Sequence, residues 1–255
     1  MRKPAHCLLD MPRYELLNNI THKDLRVATR FGREFGDDIG MVAAFPTEFA
    51  ELQREYPIFL RREQGSGQWQ AVALLGFEAR ENLFLQGERW NATYLPGAIA
   101  KGPFLIGFQE QRIEGELRRE PVVHVDMDHP RIATNEGEAV FLPQGGNSVY
   151  LDHISTVLRG IRDGVDAGQA MYAALDALEL IQPVSLDIQF DEAHRANVTG
   201  LHNIDRDRLA ALDAQQLHEL HRAGYLEGIY LVLASLQNLR RLMAEKQRRL
   251  RETVQ

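Results

Sequence analysis

The stretch Val184-Ser185-Leu186-Asp187-Ile188-Gln189-Phe190 decides how this chain is read. Val184, Leu186, Ile188 and Phe190 alternate strictly with Ser185, Asp187 and Gln189, a period of two that predicts a strand with one buried and one wet face. Both flanks read as helix. Upstream, Asn147 is placed to cap a helix whose inner face carries Tyr150, Ile154, Val157, Leu158 and Ile161, and Asp166 opens another with Met171, Leu175 and Leu178. Downstream, Asp213 and Gln216 have capping-box spacing, and Gly224 suits a helix C-terminus. Leu226, Ile229, Leu233, Leu236, Leu239 and Leu242 then step by threes and fours and predict one long amphipathic helix. A lone strand among helices must find ladder partners elsewhere, because its backbone groups cannot be left unpaired.

Those partners are legible in the first half. Residues 26–31 and 39–45 read as strands around Gly36-Asp37-Asp38. Thr47 is a candidate helix N-cap for a stripe of Phe49, Leu52 and Tyr56, which Pro57 ends. Residues 58–61 and 69–77 flank Gln64-Gly65-Ser66-Gly67, whose glycines allow a hairpin loop. Residues 82–86, 104–109 and 122–127 are further strand candidates, and the pattern changes after Gln144-Gly145-Gly146. The expectation is an α+β fold, with a β-rich N-terminal part and a helical C-terminal part that contributes a returning strand. Residues 1–22 are expected to form a flexible arm. Residues 23–255 are expected to form one integrated unit, β-rich over 23–145 and mainly helical over 146–255.

Composition narrows the function classes. With 255 residues, 44% hydrophobic and 25% charged, the chain is ordinary globular protein. It can bury roughly 70–75% of its unfolded surface and needs no metal or disulfide to fold. A net charge of −7 argues against a general nucleic-acid binder, which needs a positive field. Cys7 is the sole cysteine, which fits a reducing compartment. The apolar run Cys7-Leu8-Leu9 stops at Asp10 and does not read as a secretion signal, and no stretch approaches the roughly 18 apolar residues of a membrane span. The expected setting is cytoplasmic, with no membrane span and no nucleic-acid partner.

Several segments then fall in a familiar order. They are Phe49, Tyr56-Pro57-Ile58-Phe59, Ala73-Leu74-Leu75-Gly76, Glu81-Asn82-Leu83-Phe84, Trp90 with Tyr94-Leu95-Pro96, and Pro103-Phe104. At the other end come Gly200-Leu201, Asp205, Leu209, Leu212, Leu217, Leu220, Gly224, Ser235-Leu236 and Leu239. The ordered set, spanning about residues 24–242, resembles the SapC-like bacterial family. The resemblance implies association with a bacterial surface layer, and a setting near flavin-dependent tryptophan halogenases, cupin-like proteins and outer-membrane receptors. It implies no catalytic residues.

The residues themselves offer a few chemistries. His124, Asp126 and Asp128 share one face of a strand, and His-x-Asp is how non-haem iron oxygenases supply two of three ligands. Val123, Val125 and Met127 on the other face make an amphipathic strand an equally natural reading. His153, His194 or His202 would have to supply the third ligand. His218 and His221 sit three apart on a helix but lack a ligand–base spacing. The basic run Arg240, Arg241, Lys246, Arg248, Arg249 and Arg251 complements a helix C-terminus. Glu81, Asn82, Trp90 and Tyr94 combine aromatic faces with an amide and a carboxylate, the means of holding a sugar or a peptide segment, or equally the makings of a core.

No nucleophile elbow, dinucleotide loop or Walker loop is present, so no catalytic residue and no cofactor are assigned. The expected function is a non-catalytic binding or accessory protein of a bacterial envelope or nutrient-acquisition system, holding a protein, peptide or sugar-like ligand. One alternative is a metal-dependent oxygenase using His124 and Asp126, and another is a structural surface-layer component. The stripe over 225–243 has to pack on the chain's own core or on a second copy, as in a homo-oligomer.

Overall fold

The computed structural model describes residues 13–113 and 116–253; Cys7 and the rest of residues 1–12 lie outside the described residues. In chain order the first elements are β1 (Tyr14–Leu16), β2 (Arg26–Val27), β3 (Met41–Ala44), α1 (Phe49–Leu52), β4 (Ile58–Arg62) and β5 (Trp69–Leu74). There follow β6 (Leu85–Gln86), β7 (Arg89–Trp90), α2 (Gly97–Ala100), β8 (Phe104–Ile113), β9 (Glu116–Asp126), β10 (Ile132–Ala133) and β11 (Glu138–Ala139). The remainder is α3 (Val149–Ala177), β12 (Ile181–Gln189), β13 (Arg195–Ile204), α4 (Arg206–Ala210), α5 (Ala214–Arg222), α6 (Tyr225–Ser235) and α7 (Asn238–Thr253). The fold is α+β. No described helix is long and apolar enough to cross a membrane.

The chain forms two compact units. The first takes residues 13–29 and Lys101–Ser155. Its sheet has the order β1-β9-β8, all antiparallel, beside a small sheet ordered β10-β2-β11. Phe104 and Val125 are fully buried in it, with Leu25, Val27, Val140, Leu151 and Ile154. Residues expected to be part of an irregular arm supply β1, with Tyr14 opposite Asp126 and Leu16 opposite His124. Helix α3 is capped by Ser148 rather than Asn147: the Ser148 hydroxyl accepts the Leu151 N–H at 3.1 Å.

The second unit takes Arg30–Ala100 and residues 156–253. It is built on an antiparallel five-stranded sheet ordered β12-β13-β4-β5-β3. The alternating stretch does return to the earlier strands, through β13, which the pattern reading missed. The reason is an irregularity: the β12–β13 register shifts between Val184 and Leu186, and Gly200 opposite takes a positive φ of 75°. That breaks the alternation of buried Ala196 and Val198 before Leu201 resumes it.

Three helix expectations are corrected. The helices placed at Asn147 and Asp166 are one 29-residue helix, α3. Gly164 within it is a contact point rather than a break: a Cβ there would lie 2.6 Å from both Phe45 Cβ and Thr47 Oγ1. Thr47 caps no helix, and its hydroxyl donates to the Gly160 carbonyl at 2.9 Å. The C-terminal stripe spans two helices, α6 and α7, and its Ile229, Leu233 and Leu242 are buried in the chain's own core beside Phe49, Leu52, Tyr56, Ile58 and Leu75.

Gly160 and Gly164 make a clean contrast. Nothing lies within 4 Å of a Cβ built on Gly160. Gly160→Ala should stabilise by up to about 1 kcal/mol, the helix-propensity difference, and raise the thermal midpoint by about 2–4 °C. Gly164→Ala should lose about 1–3 kcal/mol through overpacking. Calorimetry of both variants checks this, and equal midpoints would show that α3 does not depend on the close approach at Gly164.

Candidate functional site

The second unit carries a cleft of about 700 Å³ formed by three turns and one helix. Residues 31–38 contribute Arg33, Glu34 and Asp38; the turn after β5 contributes Glu78, Arg80, Glu81 and Asn82; the β6–β7 hairpin contributes Glu88; and α7 contributes Arg249. The lining is therefore charged in both signs, and the charges are mutually held.

Arg80 donates to Asp38 from Nε at 3.1 Å and from a terminal nitrogen at 3.0 Å. Arg80 is 81% exposed while the Asp38 side chain is 10% exposed, so a fixed carboxylate orients a guanidinium that faces solvent. Arg30 spans Glu34 at 2.5 Å and Glu88 at 3.3 Å. The Lys246 ammonium sits between Glu78 at 2.7 Å and Glu81 at 2.5 Å. Burial pulls the Lys246 pKa down, but hydrogen bonds to Glu78 and Glu81 outweigh it and hold the pKa above the usual lysine value.

The backbone of this rim is satisfied by the same residues. Glu81 accepts the Phe77 N–H at 2.9 Å with its second oxygen. Asn82 is buried, donates to the Asp37 carbonyl at 2.7 Å and accepts the Phe84 N–H at 2.9 Å. Arg249 donates to the carbonyls of Asn82, Leu83 and Leu85 at 3.2, 2.7 and 3.0 Å. The basic run of α7 thus divides by face: Lys246 and Arg249 brace the cleft, while Arg248 pairs with Glu245 and Glu252 on the same helix.

Of the four residues singled out from sequence, Glu81 and Asn82 line this cleft. Trp90 and Tyr94 belong to an internal chain of hydrogen bonds. The Trp90 indole N–H donates to the Tyr56 hydroxyl at 2.8 Å, which donates to the Tyr94 carbonyl at 2.5 Å. The Tyr94 hydroxyl donates to Glu48 at 2.8 Å, and Glu48 also accepts the N–H groups of Gly97 and Phe45 at 2.9 and 3.2 Å. Trp90 also stacks on Phe84 at 6.2 Å. Arg80 and Asp38 escaped the sequence reading because they lie 42 residues apart. The local signal was the interleaved charge of Arg33-Glu34 and Glu78-Ala79-Arg80-Glu81 beside turns.

The proposed metal-binding strand lies in the first unit as β9. The His124 ring packs over Gly107, where a Cβ would lie 2.3 Å from Nδ1, and that nitrogen is shielded from solvent. Asp126 accepts the Asp128 N–H at 3.1 Å, and Asp128 accepts the Arg13 N–H at 2.9 Å, so both carboxylates bind the backbone of a turn. His194 is held by Asp191 at 2.8 Å, and His218 and His221 are exposed on α5. Among the described residues no group of three or more His, Cys, Asp or Glu side chains could hold a metal ion.

Fold and site together define an α+β protein with a charged, salt-bridged cleft. The sequence profile of the SapC family matches residues 17–242, and the chain belongs to the SapC family. No curated protein and no solved structure shows a significant match.

The hydrogen-bond chain behind the cleft is pH-sensitive. Burial raises the Glu48 pKa above 4.5, against the three hydrogen bonds that pull it down. An acid raised in the folded state stabilises the fold most below its unfolded value, near 4.5, and loses that contribution as pH rises through the raised value. Glu48→Gln should therefore gain on the parent in urea unfolding as pH increases from 4.5. A stability difference independent of pH would mean that Glu48 titrates alike folded and unfolded.

Proposed function

We propose that this chain is a non-catalytic binding protein, an accessory of a bacterial envelope or nutrient-acquisition system acting in the cytoplasm, and that it holds a short peptide or sugar-like ligand in the charged cleft. The family supports the setting. The observation that carries the binding role is the preorganised lining: Arg80 on Asp38, and Glu78 and Glu81 on Lys246. Fixed donors and acceptors of both signs suit a ligand that offers both hydroxyl or amide N–H groups and oxygens. Fixing them in advance also lowers the ordering cost of association.

In the cleft the direction of the Lys246 shift favours binding over acid–base chemistry: its carboxylates hold its pKa above the usual lysine value, away from the operating pH at which a general acid or base works best. Peptide and glycan arrays probed with the parent and with Arg80→Glu test the cleft. The parent should retain a ligand that the variant loses by about tenfold or more while still unfolding in one cooperative transition, because a carboxylate replaces the presented guanidinium. A variant that keeps every ligand of the parent would remove the cleft from the reading.

A further inference from the structure

The ribbon of β8 and β9 in the first unit has two outer edges, and the chain guards only one of them. Its pairing is regular from Phe104 opposite Val125 to Ile113 opposite Glu116. The Asp126 N–H donates to the Pro103 carbonyl at 2.9 Å, which marks 103/126 as a bonded rung. Alternation makes 105/124, 107/122, 109/120 and 111/118 the next ones. The even-numbered residues of β8 therefore turn their N–H and C=O groups away from β9, and the odd-numbered residues of β9 turn theirs away from β8. The Val123 carbonyl obeys this rule, accepting the Leu17 N–H just past β1 at 2.9 Å.

On the β9 side, β1 covers residues 124–126 and Leu17 reaches Val123. The next outward-facing position is Pro121, which is exposed and has no N–H to offer an incoming strand. Proline in such a place blunts a sheet edge against further pairing. On the β8 side the outward-facing positions after Phe104 are Ile106, Phe108, Glu110 and Arg112, with no proline among them. No described strand pairs with that edge. A two-stranded ribbon is marginally stable by itself in water, so the part that runs beyond β1 gains from another strand.

Charge selects that strand. Glu110 and Arg112 are exposed and lie on one face of β8. Two antiparallel copies of β8 related by a two-fold axis at position 111 bring Glu110 of each copy opposite Arg112 of the other, two attractive pairs from one register. An axis at position 110 or 112 would set like charge against like. We propose that the β8 edge is the docking surface for a second copy of this chain, the two ribbons joining antiparallel into one continuous sheet. Glu110 and Arg112 then exchange backbone hydrogen bonds across the axis in both directions. The contact is short, so the dimer is weak and exchanges readily. It involves the first unit alone and stands whether or not the charged cleft binds its ligand.

Sedimentation velocity from about 5 to about 500 µM should show the parent passing from monomer to dimer. Glu110→Arg and Arg112→Glu each turn both attractive pairs into repulsive ones and should each weaken the dimer by about tenfold or more. Mixed one to one, these two variants carry opposite charges at both facing positions. The mixture should therefore recover a dimer of about the parent's affinity, which misfolded variants would not do. Glu110→Pro removes an outward N–H, leaves the rungs to β9 intact and should weaken the dimer by about tenfold or more whatever the register. A parent that stays monomeric throughout, its edge bare or serving another protein, would overturn the proposal. So would a mixture no tighter than its components, or a Glu110→Pro protein that dimerises like the parent.

Discussion

The second unit depends on one buried turn. Between α1 and β4 the chain leaves a helix and enters a central strand within the core, around the fully buried Tyr56 and Pro57. The turn leaves the Gln53 and Tyr56 carbonyls and the Ile58 N–H without local partners, and a buried group left unpaired costs about 1–3 kcal/mol. Side chains from the far end of the chain supply what is missing. Ser235 accepts the Ile58 N–H at 2.9 Å, and Asn238 donates to the Gln53 and Tyr56 carbonyls at 2.8 and 3.3 Å. Both residues are buried. These two side chains stand where α6 ends, at Ser235, and where α7 starts, at Asn238.

From that junction follows the geometry of the cleft. Helix α7, started afresh at Asn238, sends Lys246 to Glu78 and Glu81 and Arg249 to the carbonyls of residues 82, 83 and 85. The rim is thus braced by the helix whose start the buried turn positions. The Tyr56 hydroxyl extends the same turn to Trp90 and Tyr94, which ties the hairpin bearing the opposite rim to the core. The cleft keeps its shape because Arg80, Lys246 and Arg249 are each held by partners in its rim, and the pairs themselves add little stability where exposed.

What the sequence made legible were features carried by local period and local chemistry. The alternation at 184–190 declared a strand, the glycines at 65 and 67 declared a hairpin, and Asp213 with Gln216 forms the capping box that their spacing announced. What stayed hidden depended on distant partners. Nothing around Ser235 signals a helix break, since its cause lies 177 residues away at Ile58. Gly160, Gly164 and Gly168 look like interruptions in isolation, and the need for Gly164 shows only in Phe45 and Thr47, distant in sequence, packed against it. Of the candidate site, the sequence found two lining residues, Glu81 and Asn82, because they sit in one turn. It could not pair Arg80 with Asp38, and it offered both a binding and a core reading for Trp90 and Tyr94, which join an internal chain of hydrogen bonds.

The same close packing explains why this unit has room for a second cavity. Helix α3 comes close to the chain segment after β3 where Gly164 faces Phe45 and Gly168 faces Pro46. Four residues on, Tyr172 restores a full side chain, while the sheet has already lost β3 at Pro46. A helix held near the sheet at one point, beside a strand that ends early, leaves a gap that alanines and glycines cannot fill. Larger side chains there would close the gap but push α3 away from Phe45, and so weaken the contact that keeps α3 whole. The gap is thus a geometric consequence of how α3 and the sheet meet.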